Sequence, residues 1–381
     1  MRRYVIILLI SLFIGGINLA ALAVYLQPLS GDLTRLGWFS ERDFGWNNPQ
    51  VNVKETRYEV GPYDHYYDVV VVGDSFSGIS TKERPVPKRE QWQNRLAARS
   101  NLSVLTIDKH IDTFSFDDLF GSEAFIKFPP KMLIVEKVER TVIDLYKNSV
   151  DQCSIAQSQS WLNPVFPKIL PSDVETISRV RDRGGLLASL NPGYARTYLL
   201  KNIIKYFGYK VQTISIPLST ENLFSSEKDK SLLFFHVDIE KANWRSNDIS
   251  SARCGVINLR KRAEANGITK FVSMIAPDKL TIYDGYIVDK KYTKLSRLDE
   301  LDSEGSISDL RLDKVLKEAV RLGGKDVYLP NDTHWGGIGH TLVAEAIMKL
   351  LEPDISLKTS WVADVIGSKY VETLAVTGPI P

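Results

Sequence analysis

An uncharged apolar run at the amino terminus constrains this chain more than any other feature of its sequence. Residues 5–26 contain only Ser11 and Asn18 as polar side chains. Such a run is long enough to cross a bilayer as one helix. Arg2 and Arg3 precede it, and positive residues stay on the cytoplasmic side of a membrane. We therefore expect residues 1–27 to form a membrane anchor, with the remainder of the chain outside the cytoplasm.

A cleaved signal peptide is the alternative interpretation of the same run. Ala21-Leu22-Ala23 supplies the small-x-small pattern of a cleavage site. Apolar residues continue past that site as far as Leu26, which favours the uncleaved anchor. Both interpretations predict that residues 28–381 are exported.

Composition excludes several classes of protein. The chain is 44% hydrophobic and 25% charged over 381 residues, which suits a globular protein with a sizeable core. Its net charge of +2 comes with no run of Lys or Arg, which argues against a nucleic-acid partner. Five scattered His and two Cys show no ligand spacing, so we expect no metal and no cofactor. Cys153 and Cys254 either pair or remain buried thiols.

From Asp68 onward, strand patterns alternate with helix patterns. Val69–Val72 is a continuous β-branched run, which is typical of a strand buried on both faces. The alternation predicts an α/β domain with a mainly parallel sheet flanked by helices. We expect this domain to span residues 63–381, with an irregular lead-in over 28–62 and an insertion at about 145–230. Further strands are predicted over 102–107, 132–135, 232–237, 271–275 and 327–329, and helices over 88–99, 194–207, 253–265, 309–322 and 340–351.

Two short polar motifs follow predicted strands. Gly73-Asp74-Ser75 comes directly after the Val run, and Asn331-Asp332-Thr333-His334-Trp335 follows the last predicted strand. Functional groups collect at the carboxyl ends of strands in sheets of this type. The two motifs are therefore predicted to meet at one edge of the sheet.

Together these motifs contain the parts of a nucleophilic triad. A serine hydroxyl needs a base within hydrogen-bond reach, and that base needs a third group to hold its tautomer. Ser75 is the candidate nucleophile and His334 the candidate base. Asp332 shares a side with His334 in an extended segment and is the candidate orienting carboxylate. Each motif alone is explained as well by helix capping or by a structural polar pair.

The pairing of GDSF with a carboxyl-terminal DTHW resembles the SGNH/GDSL hydrolase superfamily. The unspaced DTHW form is closer to its branch of alginate-type polysaccharide O-acetyltransferases. The segment from Met274 to Lys279 followed by Tyr283, and the segment 135–140 that ends in Glu-Arg, are also similar to that branch. The resemblance covers patches of about half the chain.

The resemblance implies a flavodoxin-like three-layer domain that transfers acetyl groups. Its acceptor is expected to be an extracytoplasmic polysaccharide, and a multi-spanning membrane-bound O-acyltransferase is expected to supply the acetyl group. Ser75, His334 and Asp332 are expected to carry the acyl-enzyme chemistry. Trp335, Tyr283 and Lys279 are the expected substrate contacts, although Trp335 is equally well explained by packing beside His334. In this setting the anchor implies a single-pass protein of a bacterial inner membrane, with its domain facing the periplasm or cell exterior.

The chain also departs from that branch. Alginate-type proteins place the Asp-His motif before the serine motif, whereas here it comes after, as in ordinary SGNH hydrolases. The Gly and Asn that donate to the oxyanion in SGNH enzymes have no counterpart that we can place. Gly73, Asp74 and Arg140 are the remaining oxyanion-hole or site-shaping candidates, and Arg140 is explained equally by a structural ion pair. Two alternatives stay open: a carbohydrate esterase, and a non-catalytic assembly subunit with the same fold.

Overall fold

The computed structural model describes residues 2–27, 31–78, 88–147, 175–181, 192–208, 211–302, 308–351 and 361–367. Its strands are β1 (Gln50–Val53), β2 (Glu59–Gly61), β3 (Val69–Val72), β4 (Val104–Ile107), β5 (Met132–Val138), β6 (Thr176–Arg179), β7 (Thr213–Pro217), β8 (Ser231–Phe235) and β9 (Lys270–Ala276). Its longer α-helices are α1 (Arg2–Leu26), α4 (Trp92–Ser100), α8 (Pro192–Tyr206), α9 (Ser246–Glu264), α12 (Leu312–Arg321) and α13 (Gly337–Leu351).

Short helices fill the connections between these elements. They are α2 (Asp32–Gly37), α3 (Glu41–Phe44), α5 (Phe116–Phe120), α6 (Glu123–Lys127), α7 (Val142–Tyr146), α10 (Lys279–Ile282), α11 (Leu298–Leu301) and α14 (Trp361–Gly367). Turns of 3₁₀-helix cover Ser75–Ser77, Lys88–Glu90, Ile111–Thr113, Glu139–Thr141, His236–Asn243, Asp284–Tyr286 and Lys290–Tyr292.

The centre of the domain is a five-stranded sheet whose strands are all parallel, in the order β2-β4-β3-β5-β9. All four valines of β3 are fully buried. Val69 and Val71 face a core that includes Trp92 of α4 and Ile347 of α13, while Val70 and Val72 face the core under α9. The predicted α/β class, with a parallel sheet flanked by helices, is confirmed. Because the sheet is covered on both faces, a continuous apolar run suits its central strand.

The strand order places the end of β3 at a topological switch point. From β3 the chain moves to β4 on one side, and from β4 it crosses to β5 on the other side of β3. Loops diverge where the order reverses, which leaves a crevice outside the carboxyl ends of the strands. Ser75 follows β3 and Arg140 follows β5, so both lie at this crevice.

The lead-in is more regular than its composition predicts. Its strand β2 pairs in parallel with β4 and forms one edge of the main sheet, while β1 pairs with β6 in a separate two-stranded ribbon. Its helix α2 lies against the loop that carries His334. Many Gly, Asn and Pro residues hide these elements in the sequence, because their local propensities oppose the strands that tertiary pairing forms.

Two local predictions are wrong. Residues 327–329 do not form a strand of the sheet; Tyr328 instead makes an isolated antiparallel bridge to Trp335, which folds the segment back on itself. The strand predicted over 232–237 is too long by two residues, because β8 ends at Phe235 and His236 begins a 3₁₀-helix. A short apolar run has no periodicity that separates a strand from a buried loop.

Part of the predicted insertion lies outside the described residues, namely 148–174, 182–191 and 209–210. The described part contains α8 and the antiparallel pair of β7 with β8. Cys254, on α9, is disulfide-bonded, whereas Cys153 lies outside the described residues.

Helix α1 is long and apolar enough to cross a membrane, and the body of the helix is exposed. Its carboxyl end instead docks on the domain: Ala23 and Leu26 are buried. The Leu26 carbonyl accepts a hydrogen bond from Ser40 at 3.4 Å, and Gln27 Oε1 accepts one from Arg181 at 3.1 Å. The carboxyl end of helix α1 is therefore joined to the domain by direct contacts.

Two charges placed in the middle of α1 are expected to release the protein from membranes. Ile10→Arg with Ile14→Arg adds about 5–7 kcal/mol to the cost of insertion, at about 2.5–3.5 kcal/mol for each Arg near a helix centre. Carbonate extraction of membranes measures the result, and Ile126→Arg, on the exposed surface of the domain, is the control. Retention of the double variant in the membrane fraction would contradict the anchor.

Candidate active site

Ser75 is presented by a tight turn at the end of β3. Asp74 caps the following 3₁₀-helix: its Oδ1 accepts from the Phe76 N–H at 3.0 Å, and its Oδ2 accepts from the Val138 N–H at 3.0 Å. These bonds join the turn to the end of β5. The Ser75 N–H opens the 3₁₀-helix, where N–H groups have no intrahelical acceptor. It is therefore placed to donate to an oxygen beside the Ser75 hydroxyl.

Gly73 is required by close packing under this turn. A Cβ at this position would lie 2.5 Å from Ser77 Oγ and 2.7 Å from Glu136 Oε2, and no real Cβ tolerates such contacts. The predicted role of Gly73 in shaping the site therefore has a steric basis. Only a residue without a side chain lets β3 turn at this point.

A fully buried carboxyl group, that of Glu136, lies under the turn that carries Ser75. The predictions from sequence did not include it. Its Oε2 accepts from the Asp74 N–H at 3.0 Å and from Ser77 Oγ at 2.9 Å. Burial raises the pKa of Glu136 well above its ordinary range, and the charge of Asp74 raises it further. These effects favour the neutral form of Glu136, which supports the turn from below. A glutamate among the apolar residues of strand β5 is the sequence feature that could have identified it.

The loop that carries His334 is held by a buried lysine. Lys279 Nζ donates to the carbonyl oxygens of Leu329 at 2.7 Å, Pro330 at 2.9 Å and Asp332 at 3.1 Å. Burial lowers the pKa of Lys279 to about 7. Three carbonyl acceptors match the three N–H donors of the ammonium form, so the charged lysine fits this position well.

Ser75, His334 and Asp332 meet in space as predicted. The distance from His334 Nε2 to Ser75 Oγ is 2.8 Å, and that from His334 Nδ1 to Asp332 Oδ1 is 2.6 Å. Asp332 Oδ1 also accepts from the His334 N–H at 3.0 Å. The His334 side chain is 29% exposed, so solvent and ligands reach the imidazole. This is the geometry of a serine, a base and a carboxylate that orients the base.

Charge and burial act in opposite directions on this pair. Burial lowers the pKa of His334, but the Asp332 and Asp32 carboxylates outweigh it and raise that pKa above 6.5. Burial also raises the pKa of Asp332, but the charge and hydrogen bonds of His334 hold it well below its usual range. Asp332 is therefore ionised at neutral pH, and its charge stabilises a protonated imidazole.

A second carboxylate, Asp32 of α2, lies beside the same imidazole. Its Oδ2 lies 3.7 Å from His334 Nδ1, and its Oδ1 accepts from the Thr333 N–H at 2.8 Å. Asp332 Oδ2 in turn accepts from the Asp32 N–H at 3.1 Å. Burial raises the pKa of Asp32, and the nearby charge of Asp332 raises it further. Nothing in the local sequence marks Asp32, because only tertiary packing brings the lead-in to this loop.

Buried Glu41 fixes the lead-in against the loop that carries His334. Its carboxylate accepts from the Gly31 N–H at 2.9 Å and from Asn331 Nδ2 at 2.9 Å. The Asn331 carbonyl accepts from the Leu33 N–H at 3.1 Å, at the start of α2. The amino end of α2 and the residue before Asp332 therefore share one hydrogen-bond network.

Arg140 sits in a buried ionic cluster at the ends of β5 and β9. Its Nη1 donates to Asp278 at 2.7 Å and to Asp238 at 3.4 Å, while Lys241 Nζ donates to Asp278 at 2.8 Å and to Glu139 at 3.1 Å. Burial raises the pKa of Asp238 well above its ordinary range, and Asp278 raises it further.

The cluster leaves part of Arg140 available to a ligand. Its side chain is 14% exposed, and Nη1 alone makes the two bonds to carboxylates. Its positive charge also acts to lower the pKa of His334, which places the guanidinium within electrostatic reach of the imidazole. Arg140 therefore serves the structure and adds positive charge beside the site.

The three predicted substrate contacts are buried instead. Trp335 is 2% exposed and stacks edge-on against Phe76 with 4.9 Å between ring centroids. Tyr283 is fully buried and accepts from the Tyr328 N–H at 3.3 Å, while Lys279 holds the loop carbonyls. The prediction that these side chains contact a sugar is wrong here, because none presents a surface to the crevice. They position the loop that carries His334.

Asp32, Asp332 and His334 also form a cluster with possible metal-ligand atoms within 4.8 Å of one another. Their carboxylate oxygens already accept from backbone N–H groups and from the imidazole. A cation bound here would have to displace the bond that orients His334. The donor set therefore suits the orientation of a base better than the binding of a metal.

Comparisons with protein-family models, curated proteins and solved structures find no match for this chain.

Substitutions of the two carboxylates beside His334, Asp32 and Asp332, are expected to change the reactivity of Ser75 in different ways. Asp32→Asn removes a charge that raises the pKa of His334, so the acid limb of the pH–rate profile should move to lower pH with little loss at the plateau. Asp332→Asn removes the orienting acceptor, and the plateau should fall by orders of magnitude. The rate of Ser75 labelling by a fluorophosphonate, followed against pH, measures both.

Asp289→Asn serves as the control for this experiment, since Asp289 lies at the surface and pairs there with Lys291. An unchanged acid limb in Asp32→Asn would show that Asp32 does not act on the imidazole.

Glutamine is expected to replace Glu136 with little loss of stability, because the raised pKa of Glu136 favours the neutral acid, which an amide resembles. Since folding raises the pKa of Glu136, wild-type stability falls as pH rises above the pKa of the unfolded group, about 4.3. The stability of Glu136→Gln relative to wild type should therefore increase with pH. Asp74→Asn instead places an amide N–H against a backbone donor and should cost about 1–3 kcal/mol. Urea denaturation at several pH values measures all three proteins; a pH-independent difference for Glu136→Gln would contradict a raised pKa of Glu136.

Proposed function

We propose that this protein is an extracytoplasmic O-acetyltransferase of the SGNH type, which modifies a cell-envelope or secreted polysaccharide through an acyl-enzyme. The observation that carries the proposal is the continuous chain of contacts from Ser75 Oγ through His334 to Asp332, at 2.8 Å and 2.6 Å. The resemblance of the GDSF and DTHW motifs and the apolar helix α1 support the acetyl-transfer class. A serine with this base and this orienting carboxylate is suited to acyl transfer.

In the first half-reaction, Ser75 Oγ attacks the carbonyl carbon of an acetyl donor. His334 Nε2 takes the serine proton as the O–C bond forms, and the ion pair with Asp332 stabilises the imidazolium. When the bond from the acetyl carbon to the leaving group breaks, His334 returns the proton to that group. The Ser75 N–H is the candidate donor to the oxyanion, with the charge of Arg140 nearby.

In the second half-reaction, a sugar hydroxyl attacks the acetyl-serine ester. His334 removes the hydroxyl proton while the new sugar O–C bond forms, and it then protonates Ser75 Oγ as the ester bond breaks. Positioning of the sugar decides the outcome, because water competes for the same ester. Effective molarities on the order of 10⁵ M for a well-placed hydroxyl allow transfer to outrun hydrolysis.

The proposed supplier of the acetyl group is inferred from the apolar helix α1. A helix that crosses the membrane keeps the domain beside any membrane-embedded partner and raises the local concentration of that partner. A multi-spanning O-acyltransferase that exports acetyl groups is the proposed supplier. The domain would then face the periplasm or cell exterior of a bacterial cell.

Ester hydrolysis is the second candidate function, and one observation favours it. His334 is 29% exposed and no described side chain covers the imidazole from solvent completely, so water reaches the base. The same triad would then act as a carbohydrate esterase. The acceptor, not the triad, separates the two functions.

Acetyl-serine formation is expected at Ser75 when the full-length protein meets an activated acetyl ester. Mass spectrometry of acid-quenched protein locates the acetyl group. Ser75→Ala should abolish it, whereas Ser219→Ala, which alters an exposed serine bonded to the Tyr286 carbonyl, should leave it intact. Acetate release that persists in Ser75→Ala would remove the acyl-enzyme.

Acceptor choice is tested in the same assay by the addition of oligosaccharides. Transfer predicts acetylated sugar and a matching fall in free acetate. Acetate release that no sugar changes, together with unaltered polymer acetylation in a deletion strain, would favour the esterase.

A further inference from the structure

Helix α8 presents its apolar side outward. Six large apolar side chains of α8 and of the residue that follows it are at least 41% exposed: Leu199, Leu200, Ile203, Ile204, Tyr206 and Phe207. At 100° per residue they fall within one stripe that covers about 160° of the helix. A contiguous apolar surface of this kind marks a membrane or partner contact rather than an ordinary solvated face.

The polar side of α8 faces the protein instead. Lys205 Nζ donates to the Gly37 carbonyl and lies 4.2 Å from the centre of the Phe39 ring. Asn202 Nδ2 donates to the Tyr198 carbonyl at 2.8 Å, and both Lys201 and Lys205 are half-buried. A helix bathed in water has the reverse arrangement, with apolar residues toward the core.

The helix that carries the outward stripe contacts the apolar amino-terminal helix. Helix α8 packs against α1, and α1 is the helix long and apolar enough to cross a bilayer. The carboxyl end of α1, with buried Ala23 and Leu26, docks on the same domain. A surface that lies beside the end of a spanning helix meets the bilayer interface.

We propose that α8 lies in the outer interface of the lipid bilayer, with its apolar stripe against the acyl chains. Tyr206 suits the headgroup level, where aromatic rings with a polar end collect. Arg196, exposed at the amino end of the stripe, reaches anionic headgroups through its long side chain. The occupant of this surface is the lipid itself, as for other amphipathic helices that lie in the membrane plane.

This placement holds the candidate active site at the membrane surface. Lys205 bonds to Gly37 at the end of α2, and Asp32 at the start of α2 bonds to Thr333 beside His334. Helix α2 is six residues long, or about 9 Å at 1.5 Å per residue. The triad therefore lies about one short helix away from the lipid-facing element, where a membrane-embedded acyl donor would be within reach.

The test uses the full chain in liposomes with an environment-sensitive fluorophore. Leu200→Cys and, as a second position, Phe207→Cys are labelled without reductant, which leaves the disulfide of Cys254 intact. Ile268→Cys is the matched control, because Ile268 is 49% exposed and precedes β9 at the opposite end of the sheet from the triad. Spin labels attached to the lipid acyl chains report contact by quenching.

We expect blue-shifted emission and loss of most fluorescence to lipid-borne spin labels at positions 200 and 207, with neither effect at 268. Emission that is water-like at both test positions would overturn the proposal. Blue-shifted emission without lipid quenching would also overturn it, since a second copy or a membrane protein would then cover the stripe. The readout needs no catalytic activity, so its failure is distinct from failure of the proposed acyl transfer.

Discussion

The contact between Ser75 and His334 joins two segments that lie 259 residues apart in the chain. Such a contact is useful only if both partners are held within a fraction of an ångström. On one side, Asp74 and buried Glu136 fix the turn after β3. On the other, Lys279 gathers three carbonyls of the loop before His334. The other contacts of the site hold the turn after β3 and the loop before His334 in place relative to each other.

The segment between helix α1 and the sheet also supports the loop that carries His334. Glu41 bonds to Asn331, and Asp32 bonds to Thr333 next to the imidazole. Any shift of the lead-in would therefore change both the position and the charge environment of His334. This arrangement links the carboxyl end of helix α1 to His334 through one short helix and a few hydrogen bonds.

Buried ionisable groups around the site are balanced rather than accumulated. Asp332 keeps its charge because His334 lies against it, whereas burial raises the pKa of Glu136 and of Asp238, and Asp238 also pairs with Arg140. The cost of an uncompensated buried charge explains this division. The negative charge that acts on the imidazole comes from Asp332 and Asp32, and Arg140 adds positive charge near the crevice.

The sequence by itself determined the apolar helix, the parallel α/β class and the three residues of the candidate triad. Each of these depends on a local pattern: an uncharged run, buried β-branched strands, and polar motifs at strand ends. Tertiary structure alone decided that Asp32 joins the triad, that Trp335, Tyr283 and Lys279 are buried supports, and that α8 turns its apolar side outward. These features depend on which distant segments pack together, and no local periodicity or motif encodes that choice.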